Sequence, residues 1–221
     1  MFARSHGIKT NLKTFTTALA LTTALTVGGL VYGQSPAAAA DLPIPSGTYA
    51  VDPTHASVIW KVRHLGLADY TARFNTLDAT LEFNAEDPAA SSVDVTIDPA
   101  SVDTDYPNAE QKDFNAELRG EQFFNTGEFP AITFKSTSID ITGDNTGTIT
   151  GDLTLLGVTK PVTLDVTMNG YLEEHPFTKD AAIGFSGTTT VKRSEFGLDY
   201  GVPYVGDDVK VLIEAEFNRV P

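Results

Sequence analysis

The sequence predicts an all-β fold: an antiparallel β-barrel of about eight strands with a short helical insertion. Three observations carry that expectation. Apolar residues alternate with period two along most of the chain beyond Gly47, and Gly, Asp, Asn and Pro separate the runs. Roughly eight to ten runs can be counted, and so many antiparallel strands must protect their edges, which favours a closed barrel or a two-sheet sandwich over an open sheet.

The first element is not part of that fold. Arg4, Lys9 and Lys13 precede an apolar, threonine-rich run from Phe15 to Tyr32, and Ala37 to Ala40 supply the small residues of a cleavage site. Residues 1–40 are therefore expected to be a secretory signal peptide, with 41–221 as one domain. Thr16, Thr17, Thr22, Thr23, Gly28 and Gly29 argue against a retained membrane helix. No later stretch is apolar enough to span a bilayer, so an exported, soluble periplasmic protein without a stable membrane anchor is expected.

The strands follow in order. Val58, Trp60 and Val62 share one face of the first, with Ile59 as the exception to the alternation. The same period returns in Tyr70, Ala72 and Phe74, in Leu77, Ala79, Leu81 and Phe83, and in Val93, Val95 and Ile97. Asn108 to Gly120 contains good helix formers, and Phe114, Leu118, Phe123 and Phe124 would bury one side of this insertion as a lid or as plain packing. Beyond it, Ile132 and Phe134 lead to a turn at Asp144, Asn145 and Gly147, then to Ile149, Gly151, Leu153 and Leu155. Val162 to Met168, Ile183 to Val191 and Val209 to Phe217 complete the set. Gly157 is expected to reverse the chain and Pro161 to open a strand.

Composition excludes several chemistries. The 221 residues include no Cys, which removes disulfides, thiolate metal sites, cysteine nucleophiles and cysteine lipidation. Lys and Arg number 15 against 29 Asp and Glu, a net charge of -14. Loss of the three basic residues before Ala40 leaves 12 against 29, or -17 over 181 residues. Such a surface repels nucleic acid and anionic membranes, so no nucleic-acid partner is expected. Phosphate-loop, dinucleotide and zinc-helix motifs are absent, and GFSG at Gly184 to Gly187 lacks the spacing of a serine elbow. His55, His64 and His175 have no metal-ligand spacing, so neither a metal nor a cofactor is expected. His55 and His64 should face opposite ways unless a bulge intervenes.

The interior composition is more informative. Ala72, Ala79, Gly151, Gly187 and Ala215 are small inward candidates, whereas Trp60, Phe74, Phe83, Phe134, Phe185 and Phe217 supply large walls. Small residues at one height would leave an apolar cavity; paired against aromatics they would complete a core.

Four segments resemble the YceI-like family of secreted, lipocalin-like, polyisoprenoid-binding proteins. In YAVDPTHASVIWKVRHLGLADYTARF, Tyr49 to Phe74, the family pattern is matched by Asp52, His55, His64 and Gly66, with Ala56 where serine is usual. FFNTGEFPAITFKST, GDLTLLGVTKPVTLDV and KRSEFGLDYG match further elements, the last offering Phe196 and Tyr200 as aromatic plugs. The resemblance implies a barrel that holds an isoprenoid lipid or quinone-like amphiphile lengthwise and is not an enzyme. Val58, Trp60, Val62, Phe74, Phe134, Phe185 and Gly187 are the expected contacts. A homodimer stays open. Two other readings compete: an extracytoplasmic enzyme on an apolar or quinone-like substrate, with His55, His64 and Arg193 gathered at the mouth, and a ligand-free stress-response protein.

Overall fold

A computed structural model describes residues 42–221; the segment read as a signal peptide lies outside them. Ten strands form one antiparallel sheet: β1 (Gly47–His64), β2 (Ala68–Phe74), β3 (Leu77–Phe83), β4 (Ser92–Ile97), β5 (Val102–Asp103), β6 (Ile132–Ile141), β7 (Thr146–Leu155), β8 (Val158–Leu172), β9 (Ala182–Lys192) and β10 (Val205–Arg219). They occupy eight positions. β2 and β3 follow one another along the same edge of β1, and β5 continues β4 along β2 and β3. Pairing of β1 with β10 closes the ring, so the structure is an eight-stranded antiparallel barrel rather than a sandwich.

β1 carries an irregularity that sets which residues face inward. Val51 pairs with Phe217 and Ala56 with Ala215, so Asp52 to His55 bulge outward opposite the single residue Glu216. The bulge inverts the phase. Tyr49 and Val51 point inward before it, whereas Val58, Trp60, Val62 and His64 do so after it, which leaves Ile59 off the cavity wall. Tyr49 is fully buried, donates its hydroxyl to the Pro45 carbonyl at 2.7 Å, and meets Phe83 edge to face at 5.8 Å.

The insertion is less helical than its composition suggests. Only α1 (Phe114–Arg119) forms, with Asp113 accepting from the Ala116 N–H at 2.8 Å and Gly120 at its end. Asn115 accepts from both the backbone N–H and the hydroxyl of Thr104, at 3.0 and 2.6 Å, which ties α1 to β5. There it packs Leu118, Phe114, Phe123 and Phe124 against Val58, Phe74, Val102 and Ile132.

Three turn expectations change. Gly147 lies within β7, and the turn ends at Asn145. Leu156 and Gly157, with φ of 51° and 72°, reverse the chain, but β8 begins at Val158 and runs through Pro161. That stretch of β8 pairs only with β7, since the β9 ladder begins at Asp165, so the missing N–H of Pro161 interrupts no β8–β9 ladder. Phe196 is buried as expected, whereas Tyr200 is half exposed and rests on Phe123 at 5.3 Å.

The small residues divide into two groups. Gly151 lies under the Phe134 ring, and a Cβ there would also come within 2.6 Å of the Lys135 carbonyl oxygen. Gly187 has room, its nearest neighbour being Ile213 at 3.5 Å. Gly151→Ala is therefore expected to destabilise by about 1–3 kcal/mol through overpacking. Gly187→Ala should be neutral or stabilising by up to about 1 kcal/mol, since it narrows the unfolded ensemble without a clash. Urea unfolding of the two variants checks the difference; equal losses would mean that both positions are filled.

Candidate functional site

Inside the barrel lies a cavity of about 770 Å³ with an almost wholly apolar wall. Val58, Trp60, Val62, Phe74, Phe134, Phe185 and Gly187 all stand on that wall, as do Ala79 and Ala215. Gly151 and Ala72 do not: the first accommodates Phe134, and the second pairs with Trp60 across the β1–β2 ladder. Phe83 is also spent elsewhere, against Tyr49. At one end the lining belongs to the Val51, Leu81, Phe134 and Phe217 cluster, and at the other to the cluster beneath α1.

Trp60 stands among the aromatics at that second end, with Tyr70 and Phe124 at 6.4 and 6.3 Å. Its indole N–H meets no acceptor among the described residues. A buried donor left this way costs about 1–3 kcal/mol, so a polar atom reaching it is favoured. The mouth adds His64, Tyr106, Lys112 and Glu117 to the lining. Lys112 and Glu117 pair at 2.7 Å, and that bond raises the lysine's affinity for its proton. Tyr106 and Lys112 were not visible as wall residues in the sequence. Their only signal was proximity to Phe114 in the insertion, and the packing of that insertion decides where they point.

Arg193 is buried with only 5% of its surface exposed, and every bond it makes is to main chain. It donates to the carbonyls of Gly206, Leu198, Tyr200 and Val205 at 2.8, 2.7, 2.9 and 3.0 Å. Burial lowers its pKa, while Asp207 and Asp199 act in the opposite direction. The residue ties the loop between β9 and β10 together. His55 sits on the outer surface, its Nδ1 2.9 Å from Asp52, whereas His64 and Arg193 both border the cavity. The three groups on which an enzymatic reading depends therefore do not converge on one patch.

Nor do the three histidines assemble. Among the described residues, one group has metal-ligand proximity: Asp52, His55 and Glu216, with atoms within 4.8 Å of one another. His175 approaches Glu216 at 3.5 Å. Asp52 and His55 belonged to a recognised sequence motif, but Glu216 joins them only through the β1–β10 bulge. Both Asp52 oxygens are already occupied, one by the Thr54 N–H and hydroxyl at 2.8 and 2.6 Å and the other by His55. Asp52, Thr54 and His55 close the bulge by hydrogen bonds on the outer face of the barrel, and Glu216 lies beside them.

The YceI-like domain profile matches residues 49–217. A UPF0312 protein of Pseudomonas paraeruginosa is 35% identical over 196 residues, which cover 89% of this chain and 96% of that protein. Among solved structures, Burkholderia cenocepacia BcnA superposes with a TM-score of 0.65 at 26% identity, over 75% of this chain and 98% of its own. A polyisoprenoid binding domain from Saccharophagus degradans, implicated in plant cell wall breakdown, shares the fold. Its TM-score is 0.60 at 15% identity, over 78% and 98% of the two chains.

The bulge also makes stability depend on pH. Hydrogen bonds from Thr54 and then His55 hold Asp52 at about 2, below its ordinary 3.8, and the bond to Asp52 raises His55 above 6.5. The Asp52 contribution is present above pH 3.8 and is lost as pH falls towards 2. The His55 contribution is present below pH 6.5 and is lost as pH rises through its higher folded value. Asp52→Asn should therefore destabilise most between about pH 4 and 6.5, and less on either side. Urea midpoints of both proteins across this range test it; a difference independent of pH would remove the ion pair from the account.

Proposed function

The chain belongs to the YceI-like family, and from that premise we propose that it binds and carries an isoprenoid-like lipid, a polyprenyl chain or quinone tail, in the periplasm or an equivalent exported space. The observation that carries this reading is the apolar cavity of about 770 Å³ enclosed by the barrel. Its volume lies within the roughly 300–1,000 Å³ of small-molecule sites, well above a packing defect. A long apolar tail is costly to expose to water and is stabilised by a dry channel. The tail lies towards Phe134 and Phe217, and the polar end of the lipid lies at the mouth beside His64, Tyr106 and Lys112. The Saccharophagus degradans domain, described as binding polyisoprenoids, supports the same class of cargo. Basic residues, an apolar run and alanines in 1–40 support export.

Extraction of lipid from the natively purified protein, followed by mass spectrometry, tests the reading directly. Reproducible absence of any prenyl lipid would count against it. Since Trp60 is the only tryptophan and stands on the cavity wall, its fluorescence should respond saturably when geranylgeraniol enters delipidated protein. The response should be stronger than that to prenol, which has the same headgroup and a shorter tail. Equal responses would indicate binding at the mouth alone. Gly187→Leu projects a side chain into the cavity, so it should lower lipid occupancy while costing less than about 1 kcal/mol of stability. A filled interior would instead answer with a loss of about 1–3 kcal/mol and unchanged occupancy.

A further inference from the structure

We infer that the mouth of the barrel docks transiently on a lipid bilayer with uncharged or zwitterionic headgroups, through the β1–β2 turn and the loop between β9 and β10. The inference rests on the reading of the cavity as a lipid site and names where that lipid is exchanged. Leu67 is 81% and Tyr204 72% exposed, and Leu65, Tyr200 and Val202 are also exposed. These five residues belong to two segments joined by a hydrogen bond of 2.7 Å from the Leu65 N–H to the Tyr204 carbonyl. Apolar side chains so placed are costly in water unless something covers them.

The patch is held in place. Arg193 fixes the carbonyls of Leu198, Tyr200, Val205 and Gly206, so the loop cannot fold its apolar side chains inward without breaking bonds to a buried guanidinium. It is also continuous with the cavity, because His64, Leu198, Tyr200 and Val205 line the wall next to these exposed residues. A bilayer meeting this rim would offer the lipid an unbroken apolar path, whereas a second copy of the chain over it would seal the mouth. Tyrosine suits a membrane interface, with its ring in the apolar layer and its hydroxyl among headgroups.

Charge selects the kind of surface. Arg63 and Lys210 both pair with Asp69, at 3.0 and 3.6 Å; Lys112 pairs with Glu117 at 2.7 Å, and Lys160 with Glu195 at 3.6 Å. The mouth thus presents no unpaired basic cluster among these groups to attract anionic lipid, and the chain carries a net charge of -14. Attachment comes from apolar insertion, and salt affects it little.

The test is sedimentation of the protein with phosphatidylcholine vesicles, with and without added salt, beside uptake of geranylgeraniol from detergent. Wild-type protein should bind the vesicles equally at low and high salt. Leu67→Ser combined with Tyr204→Ser should weaken vesicle binding about tenfold or more, as expected for removing two inserted apolar side chains, and leave detergent uptake unchanged. Phe177→Ser, at an exposed aromatic of the β8–β9 loop away from the mouth, serves as the control and should change neither. Uptake from detergent without vesicle binding would overturn the docking inference and leave the lipid reading standing. Vesicle binding that falls equally in the Phe177→Ser variant would also overturn it, as would conversion of a dimer to a monomer by the double variant. Vesicle binding lost at the mouth variants, with no uptake by any protein, would support docking and count against the lipid cargo.

Discussion

Closure of the sheet by the β1–β10 ladder is the interaction on which the rest of this structure depends. Without it the sheet would have two long edges, and the cavity would be a groove open to water. The ladder is interrupted twice, between Val62 and His64 near the mouth and, earlier, where four residues of β1 oppose Glu216, and this earlier interruption decides which side chains of the longest strand face inward. Tyr49 and Val51 before the bulge share an interior with Val58, Trp60 and Val62 after it only because the phase shifts between them. Asp52, Thr54 and His55 hold the bulge shut from outside.

An eight-stranded barrel has an interior that side chains can just fill, so the placement of small residues determines whether it is solid or hollow. Gly151 is taken up by Phe134, and Tyr49 with Phe83 makes a solid floor. Ala79, Gly187 and Ala215 stand on the open wall. The helical insertion supplies Phe114, Leu118, Phe123 and Phe124 to the other end, where they narrow the mouth without filling the space beneath. Hydrogen bonds from Thr104 to Asn115 set the position of that insertion, and thus the shape of the entrance.

The charged residues that stood out in the sequence act mainly on the backbone. A guanidinium taken from water must regain its hydrogen bonds, and Arg193 does so with four carbonyls of a single loop. Rigidity near the entrance follows, and with it the fixed exposure of Tyr200 and Tyr204. His55 is likewise engaged at a strand irregularity. His64 and Arg193 both border the cavity, the guanidinium with its bonds given to carbonyls, whereas the barrel wall places His55 on its outer surface.

Period-two alternation and the succession of strands along the chain were legible in the sequence because they are local, whereas turn limits were not, Gly147 lying inside β7 and β8 opening at Val158 rather than Pro161. The seven wall residues from Val58 to Gly187 could be named for the same reason, since strand phase tells inward from outward. Other features were not legible, because each depends on which distant segments meet. Glu216 joins Asp52 and His55 only across the closing ladder, and Tyr106 and Lys112 reach the cavity only once α1 docks on β5. Whether a glycine leaves space or receives an aromatic ring is decided by the opposing strand, as Gly151 and Gly187 show. Alternation along one chain determined that there would be an inside; the packing of facing strands decided that part of it would be empty.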